Sequence, residues 1–348
     1  MDMIQNIFTQ LQQIDYLLLL NILEPIIIAY ITTFSIDKAI KSYSLHRDYR
    51  PKDISMVVMP PELINRFNSF NADKIAASKY KESILKYAEF MTKNFSPKDL
   101  INFYNNINSL EVYSNSLMRK IGIYRCDINI IYINDNIASN NAIFHELFHM
   151  SSSVFKENVI YSGFSQSKID MGNKIGVGLN EGYTDLLTQR YFGKHNGKYR
   201  NPYAYEVEIA RLVEEIVGKE KMESLYLNAN LEGLIDELKK YMSEDEIMKF
   251  IYKMDFVTKY SGEKKIGLSR KKMINNSMQD ISKFLIICYS KKTVQEPNIS
   301  NEEFINKFAK FVLKLSFHPR IEGCIYEPIT DQIIKSSFDE LNGLRKNR

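Results

Sequence analysis

The residues best suited to do chemistry fall in one run, Asn140-Asn141-Ala142-Ile143-Phe144-His145-Glu146-Leu147-Phe148-His149-Met150, which contains His-Glu-x-x-His. On a helix, His145 and His149 stand one turn apart on the same face. Two imidazoles so placed can hold one zinc ion, and Glu146 beside them can take a proton from a metal-bound water. Ile143, Leu147 and Met150, with Phe144 and Phe148, predict that this helix is buried. Ser139 or Asn140 is placed to cap its start. A strand-like run, Asp127 to Ile133, precedes it.

A zinc ion used in catalysis takes three protein ligands and keeps one position open; two His and one Glu is a known set. Glu181 is the candidate third ligand. It lies in Leu179-Asn180-Glu181-Gly182-Tyr183-Thr184-Asp185, a segment with a helical apolar face at Tyr183, Leu186, Leu187 and Tyr191. Asn180 can cap that helix and Gly193 can end it. Asp185, one turn beyond Glu181, can accept the free imidazole N–H of a ligand histidine, fixing its tautomer and raising its basicity. Taken singly, Glu181 reads as a carboxylate favoured at a helix start, and Asp185 as a surface acid.

His145-Glu146-x-x-His149 followed by Asn180-Glu181-x-x-x-Asp185 resembles the gluzincin branch of the zincin metallopeptidases, the thermolysin-like group. The resemblance covers residues 140–192. It implies His145, His149 and Glu181 as zinc ligands, Glu146 as general base and Asp185 as support for a ligand histidine. The metzincin branch continues its first motif with a glycine and a third histidine, where this chain has Ser152 and Phe155. The stretch between His149 and Glu181 is longer and richer in glycine than in compact thermolysin-like enzymes. That family also sets a Tyr, His or Arg donor against the transition-state oxyanion, and no matching motif is visible. His195, Tyr203 and Tyr205 follow at a plausible distance. However, His195 reads as a loop residue between Gly193 and Gly197, and the tyrosines as packing at the start of a helix over 202–217.

The elements that must position these residues read as α+β. Residues 54–59 form a short strand, 73–93 an amphipathic helix, and Ser96-Pro97 opens another helix that runs, with breaks, towards Gly122. Residues 156–178, with Gly163, Gly172, Gly176 and Gly178, read mostly as loop. Beyond residue 179 the signals are helical. Ser243-Glu244-Asp245-Glu246 and Ser300-Asn301-Glu302-Glu303 are capping boxes, and Phe304, Phe308, Phe311, Val312 and Leu315 make a core stripe. The expected organisation is an apolar segment over 1–44, an α+β part over 45–178 with the first motif, and a helical part over 179–348 with Glu181.

The chain has 348 residues and a net charge of +4 with acids and bases mixed throughout, which gives no case for nucleic-acid binding. Lys264, Lys265, Arg270, Lys271 and Lys272 read as a solvated surface run, and His46 and His318 lack metal-ligand spacing. Cys126, Cys288 and Cys324 are odd in number and far apart, which fits a reducing compartment. Residues 16–36 are almost uncharged and long enough to span a bilayer, but Glu24 and Pro25 sit at their centre. They read either as a membrane contact or as a buried N-terminal element. If they span, Lys38, Lys41, Arg47, Arg50 and Lys52 keep the rest of the chain cytoplasmic.

The sequence therefore predicts a zincin-like α+β fold with a small sheet beside the His-Glu-x-x-His helix. The expected function is zinc-assisted hydrolysis of a peptide or protein substrate lying along residues 128–133. The alternative is a zinc-binding regulatory or interaction protein without catalysis.

Overall fold

A computed structural model describes residues 80–115, 117–118, 120–138, 141–168, 174–193, 203–261, 267–296 and 299–316. The apolar run at 16–36, the strand at 54–59, His46, His195, Lys264, Lys265, His318 and Cys324 lie outside them. Among the described residues no helix is long and apolar enough to cross a membrane.

The first helix, α1 (Lys81–Asn94), buries Ile84, Tyr87, Ala88 and Met91, the i, i+3, i+4, i+7 face of the predicted amphipathic pattern. Pro97 then opens a single 3₁₀ turn, followed by α2 (Ile101–Ile107). This helix does not continue towards Gly122 as the sequence suggested. The chain turns at Asn108 into β1 (Glu111–Ser114), then forms β2 (Gly122–Arg125) and β3 (Ile130–Ile133).

These strands make a three-stranded sheet in the order β1-β3-β2, with β1 parallel and β2 antiparallel to β3. The strand begins three residues later than the apolar run because Asn129 is left-handed, with φ of 54°. Its amide donates to the Asn106 carbonyl at 2.7 Å and to Ser109 Oγ at 2.8 Å, fixing the turn into β3. Ile131 and Ile133 point inward and are fully buried. Since β3 is paired on both sides, residues 128–133 cannot offer a strand edge to a peptide. That expectation is corrected: among the described residues, the edges of this sheet that pair with no strand belong to β1 and β2.

The next helix, α3 (Ala142–Ser151), is buried at every position. It packs on α1, α2, β2 and β3. Asn141 precedes it but does not cap it; its amide donates instead to the Gly193 carbonyl at 2.7 Å. At the other end, the hydroxyls of Ser151, Ser152 and Ser153 donate to the carbonyls of Leu147, Phe148 and His149 at 2.9, 2.9 and 2.6 Å. The predicted polar stop thus works by satisfying the last-turn carbonyls.

The stretch read as loop is a second sheet. β4 (Ser153–Lys156), β5 (Val159–Ser162), β6 (Ser165–Lys168) and β7 (Lys174–Ile175) pair antiparallel in sequence order. Glu157 and Asn158 are both left-handed, with φ of 53° and 61°, which makes the tight two-residue turn that joins β4 to β5. Glutamate is an unusual residue there, so the turn carries no sequence signature.

The rest is helical: α4 (Val177–Phe192), α5 (Ala204–Val217), α6 (Lys219–Leu227), α7 (Leu231–Leu238), α8 (Glu244–Ser261), α9 (Leu268–Val294) and α10 (Asn301–Ser316). Both capping serines act as expected: Ser243 exchanges bonds with Glu246, and Ser300 Oγ accepts from Glu303 N at 3.1 Å. The stripe from Phe304 to Leu315 is buried. Buried apolar residues from Ile84 to Leu315 form one continuous cluster, with members on both sides of residue 178. The fold is α+β, with small sheets beside α3 and a mostly helical C-terminal part.

Two glycines let α4 sit deep among its neighbours. A Cβ on Gly182 would lie 2.3 Å from the Glu206 carbonyl of α5, and one on Gly178 would lie 2.8 Å from the Met254 carbonyl of α8. Gly182→Ala should therefore push α4 and α5 apart and destabilise the fold by about 1–3 kcal/mol. Urea denaturation checks this; an unchanged midpoint would mean the helices yield freely.

Candidate metal centre

Helix α3 supplies two imidazoles on one face. His145 Nε2 and His149 Nε2 are 3.1 Å apart, and their rings meet edge to face. Helix α4 crosses α3 and brings in Glu181, whose Oε2 lies 3.3 Å from His145 Nε2 and 3.5 Å from His149 Nε2. The crossing is fastened at one end by Phe144 of α3, whose ring stacks on Phe192 of α4 at 4.0 Å.

Three ligand atoms so arranged can hold a metal ion. In a tetrahedral site with bonds of about 2.0–2.1 Å, any two ligand atoms lie about 3.3–3.4 Å apart. The observed separations of 3.1, 3.3 and 3.5 Å bracket that value. The donor set fits such an ion without rearrangement of the backbone. Glu181 is the most open of the three, its side chain 21% exposed against 11% for each histidine, so the approach is from its side.

The surrounding groups are placed by the same elements. Asp185, one turn along α4, is buried, with Oδ1 3.7 Å from His145 Nδ1, longer than a formed hydrogen bond. Its other oxygen accepts from Gln189 Nε2 at 2.9 Å. Asn180 does not cap α4, because the helix starts earlier, at Val177. Its Oδ1 accepts the Phe164 N–H at 3.1 Å and its Nδ2 stands 3.4 Å from His149 Nδ1. It thus links the β5–β6 turn to His149, a candidate metal ligand.

Glu146 shares α3 with the histidines but points to β2. A Cβ on Gly122 would lie 2.5 Å from Glu146 Oε1, so the absence of a side chain at Gly122 makes room for the carboxyl. Burial pushes the Glu146 carboxyl up from its ordinary value, and Glu181 adds to the rise. The two histidines and a backbone bond from Tyr124 oppose it.

Of the residues that follow the α4 helix at a plausible distance, Tyr203 lies beside His145. Its ring lies parallel to that of His145, 5.9 Å away, at the start of α5. The Glu181 charge, burial and the Glu146 charge hold its hydroxyl well above the usual tyrosine range, so it keeps its proton. Tyr205 is buried in the core. Nothing in the sequence singles out Tyr203 from Tyr205; its position follows from how closely α5 approaches α4 at Gly182. The chain matches no family model, no curated protein and no solved structure, so its chemistry is read from the residues of the site.

Burial alone would lower the His145 pKa, but Asp185, Glu181 and the Glu146 charge override it and raise it to about 10. In the metal-free protein this raised value adds stability that is full below pH ~6.5 and lost as pH rises through about 10. A cation must displace that proton. Zinc added at pH 8 should therefore release about one proton from His145, seen as a buffer-dependent calorimetric heat. A heat independent of buffer would show that His145 is already neutral.

Proposed function

We propose that this protein is a zinc-dependent peptide hydrolase of the zincin type. The observation that carries the reading is the near-tetrahedral spacing of His145, His149 and Glu181, with a buried glutamate on the same helix turned towards Gly122 of β2. Two imidazoles and one carboxylate suit zinc among the common divalent ions. Bound there, zinc would polarise a scissile carbonyl and make a water more acidic.

The chain's own residues supply the rest. Glu146 takes the proton as water attacks and passes it to the leaving amine, and its raised pKa brings it closer to neutral pH, where such transfer works best. Asp185 lies on the Nδ1 side of His145, where it favours the tautomer with a free Nε2 lone pair. Tyr203 carries a neutral hydroxyl that bonds Glu181; once a cation takes that carboxylate, it could turn to donate to an oxygen developing charge near His145. Among the described residues the outer edge of β2 pairs with no strand; an extended peptide added there would compete with the Glu146 carboxyl for the Tyr124 N–H.

Glu146→Gln should retain zinc at wild-type stoichiometry while turnover of a peptide library falls about 10²–10⁴-fold. Equal turnover in the variant would remove Glu146 from the chemistry. A wild type that binds zinc but cleaves nothing would instead favour a regulatory or interaction role. Glu181→Ala should lose most of its bound zinc, measured by elemental analysis; full retention would take Glu181 out of the ligand set.

A further inference from the structure

Helix α4 carries Asn180, Glu181 and Asp185, yet it begins without a cap of its own. Its N-cap position is Gly176, left-handed with φ of 78°, and no side chain of that residue bonds the first turn. Nor can a capping residue replace it, because a Cβ there would lie 1.9 Å from the Phe164 carbonyl. The first-turn amides must find an acceptor elsewhere.

They find it on α8. Asp255 Oδ2 accepts the Gly176 N–H at 2.8 Å and Oδ1 accepts the Gly178 N–H at 2.9 Å; Val177 adds a third backbone bond. The two helices come close enough because Gly178 has no side chain. A Cβ there would meet Thr258 Oγ1 at 2.7 Å as well as the Met254 carbonyl at 2.8 Å. The carboxylate also faces the positive end of the α4 dipole.

We propose that Asp255 is a positioning residue for the metal centre, holding the first turn of α4 so that Glu181 and Asn180 meet the two histidines. The proposal rests on the reading of His145, His149 and Glu181 as metal ligands. Glu181 is the third residue after Gly178, and Asn180, which stands against His149, lies within the turn that Asp255 ties down. Metal bonds tolerate errors of only about 0.2 Å. A first turn free to fray would loosen both residues by more than that while leaving the body of α4 folded. Burial pushes the Asp255 carboxyl up to about 7, against the pull of its three backbone bonds. At pH 8 it is mainly the charged form that accepts them.

Asp255→Asn is the first test. It keeps one acceptor oxygen but turns an amino group towards a backbone N–H. At pH 8, by competition with a chelator, its zinc affinity should fall about tenfold or more, comparable to the loss of a group that orients a ligand directly. Ser243→Ala is the control. It removes the cap at the start of the same α8, where Ser243 Oγ donates to Glu246 Oε2 at 2.6 Å, without touching α4. It should lower the Tm and leave zinc affinity unchanged, which a purely structural role for Asp255 would also predict for Asp255→Asn.

Hydrogen exchange on the wild type gives a second measurement if Asp255→Asn does not fold. Because coupling is reciprocal, zinc should slow exchange at the Gly176 and Gly178 amides. Unchanged exchange there, or wild-type zinc affinity in a folded Asp255→Asn, overturns the proposal alone. A wild type that binds no zinc overturns the metal reading, and this proposal with it.

Discussion

Two imidazole nitrogens and a carboxylate oxygen held within 3.5 Å of one another are electron-rich atoms that repel unless a proton or a cation lies among them. Most of the surrounding structure serves to keep them there. The histidines cannot retreat, because α3 is buried along its whole length and held by two helices and two strands. Glu181 cannot retreat, because α4 is set against α5 and α8 at glycines with no space behind them. The Asp185 and Glu181 side chains and the Glu146 charge raise the His145 pKa, which favours a proton held within the cluster.

The site is asymmetric in a useful way. On one side of α3, Glu146 is buried against β2, where Gly122 leaves room for its carboxyl. On the other, α4 and α5 contribute the carboxylates and Tyr203. The buried glutamate of α3 and the groups contributed by α4 and α5 thus come from different elements, and the most exposed of the three metal-binding candidates, Glu181, lies on the α4 side.

Parts of this arrangement were legible in the sequence, because they depend on spacing along one helix. His145 and His149 needed only the i, i+4 rule; placing Glu181 and Asp185 beside them also needed the resemblance, since spacing within a second helix does not say where that helix lies. The buried stripes at Ile84–Met91 and Phe304–Leu315 followed from periodicity as well. The second sheet was not legible. Its strand Ser-Gln-Ser-Lys has no apolar alternation, and its first turn puts a glutamate in the left-handed region. Tyr203 was indistinguishable from Tyr205, since only the α4–α5 crossing separates their fates. Asp255 was illegible for a different reason: its partners are main-chain amides, which leave no mark on residue identity.

The second sheet has a consequence for how the centre assembles. It joins helices α3 and α4, which carry the candidate metal ligands, by successive short hairpins, each closed by local pairing, with Gly163 N–H bonded back to the Ser152 carbonyl at 2.8 Å. The chain from His145 to Glu181 spans 36 positions, whereas the Asp255 contacts with Gly176 and Gly178 span 79 and 77. Closing a loop twice as long costs only about 0.6 kcal/mol more. Low contact order nonetheless favours the nearer pairing kinetically. The histidines and the glutamate can thus come together as one local folding unit, to be locked when the later helix arrives.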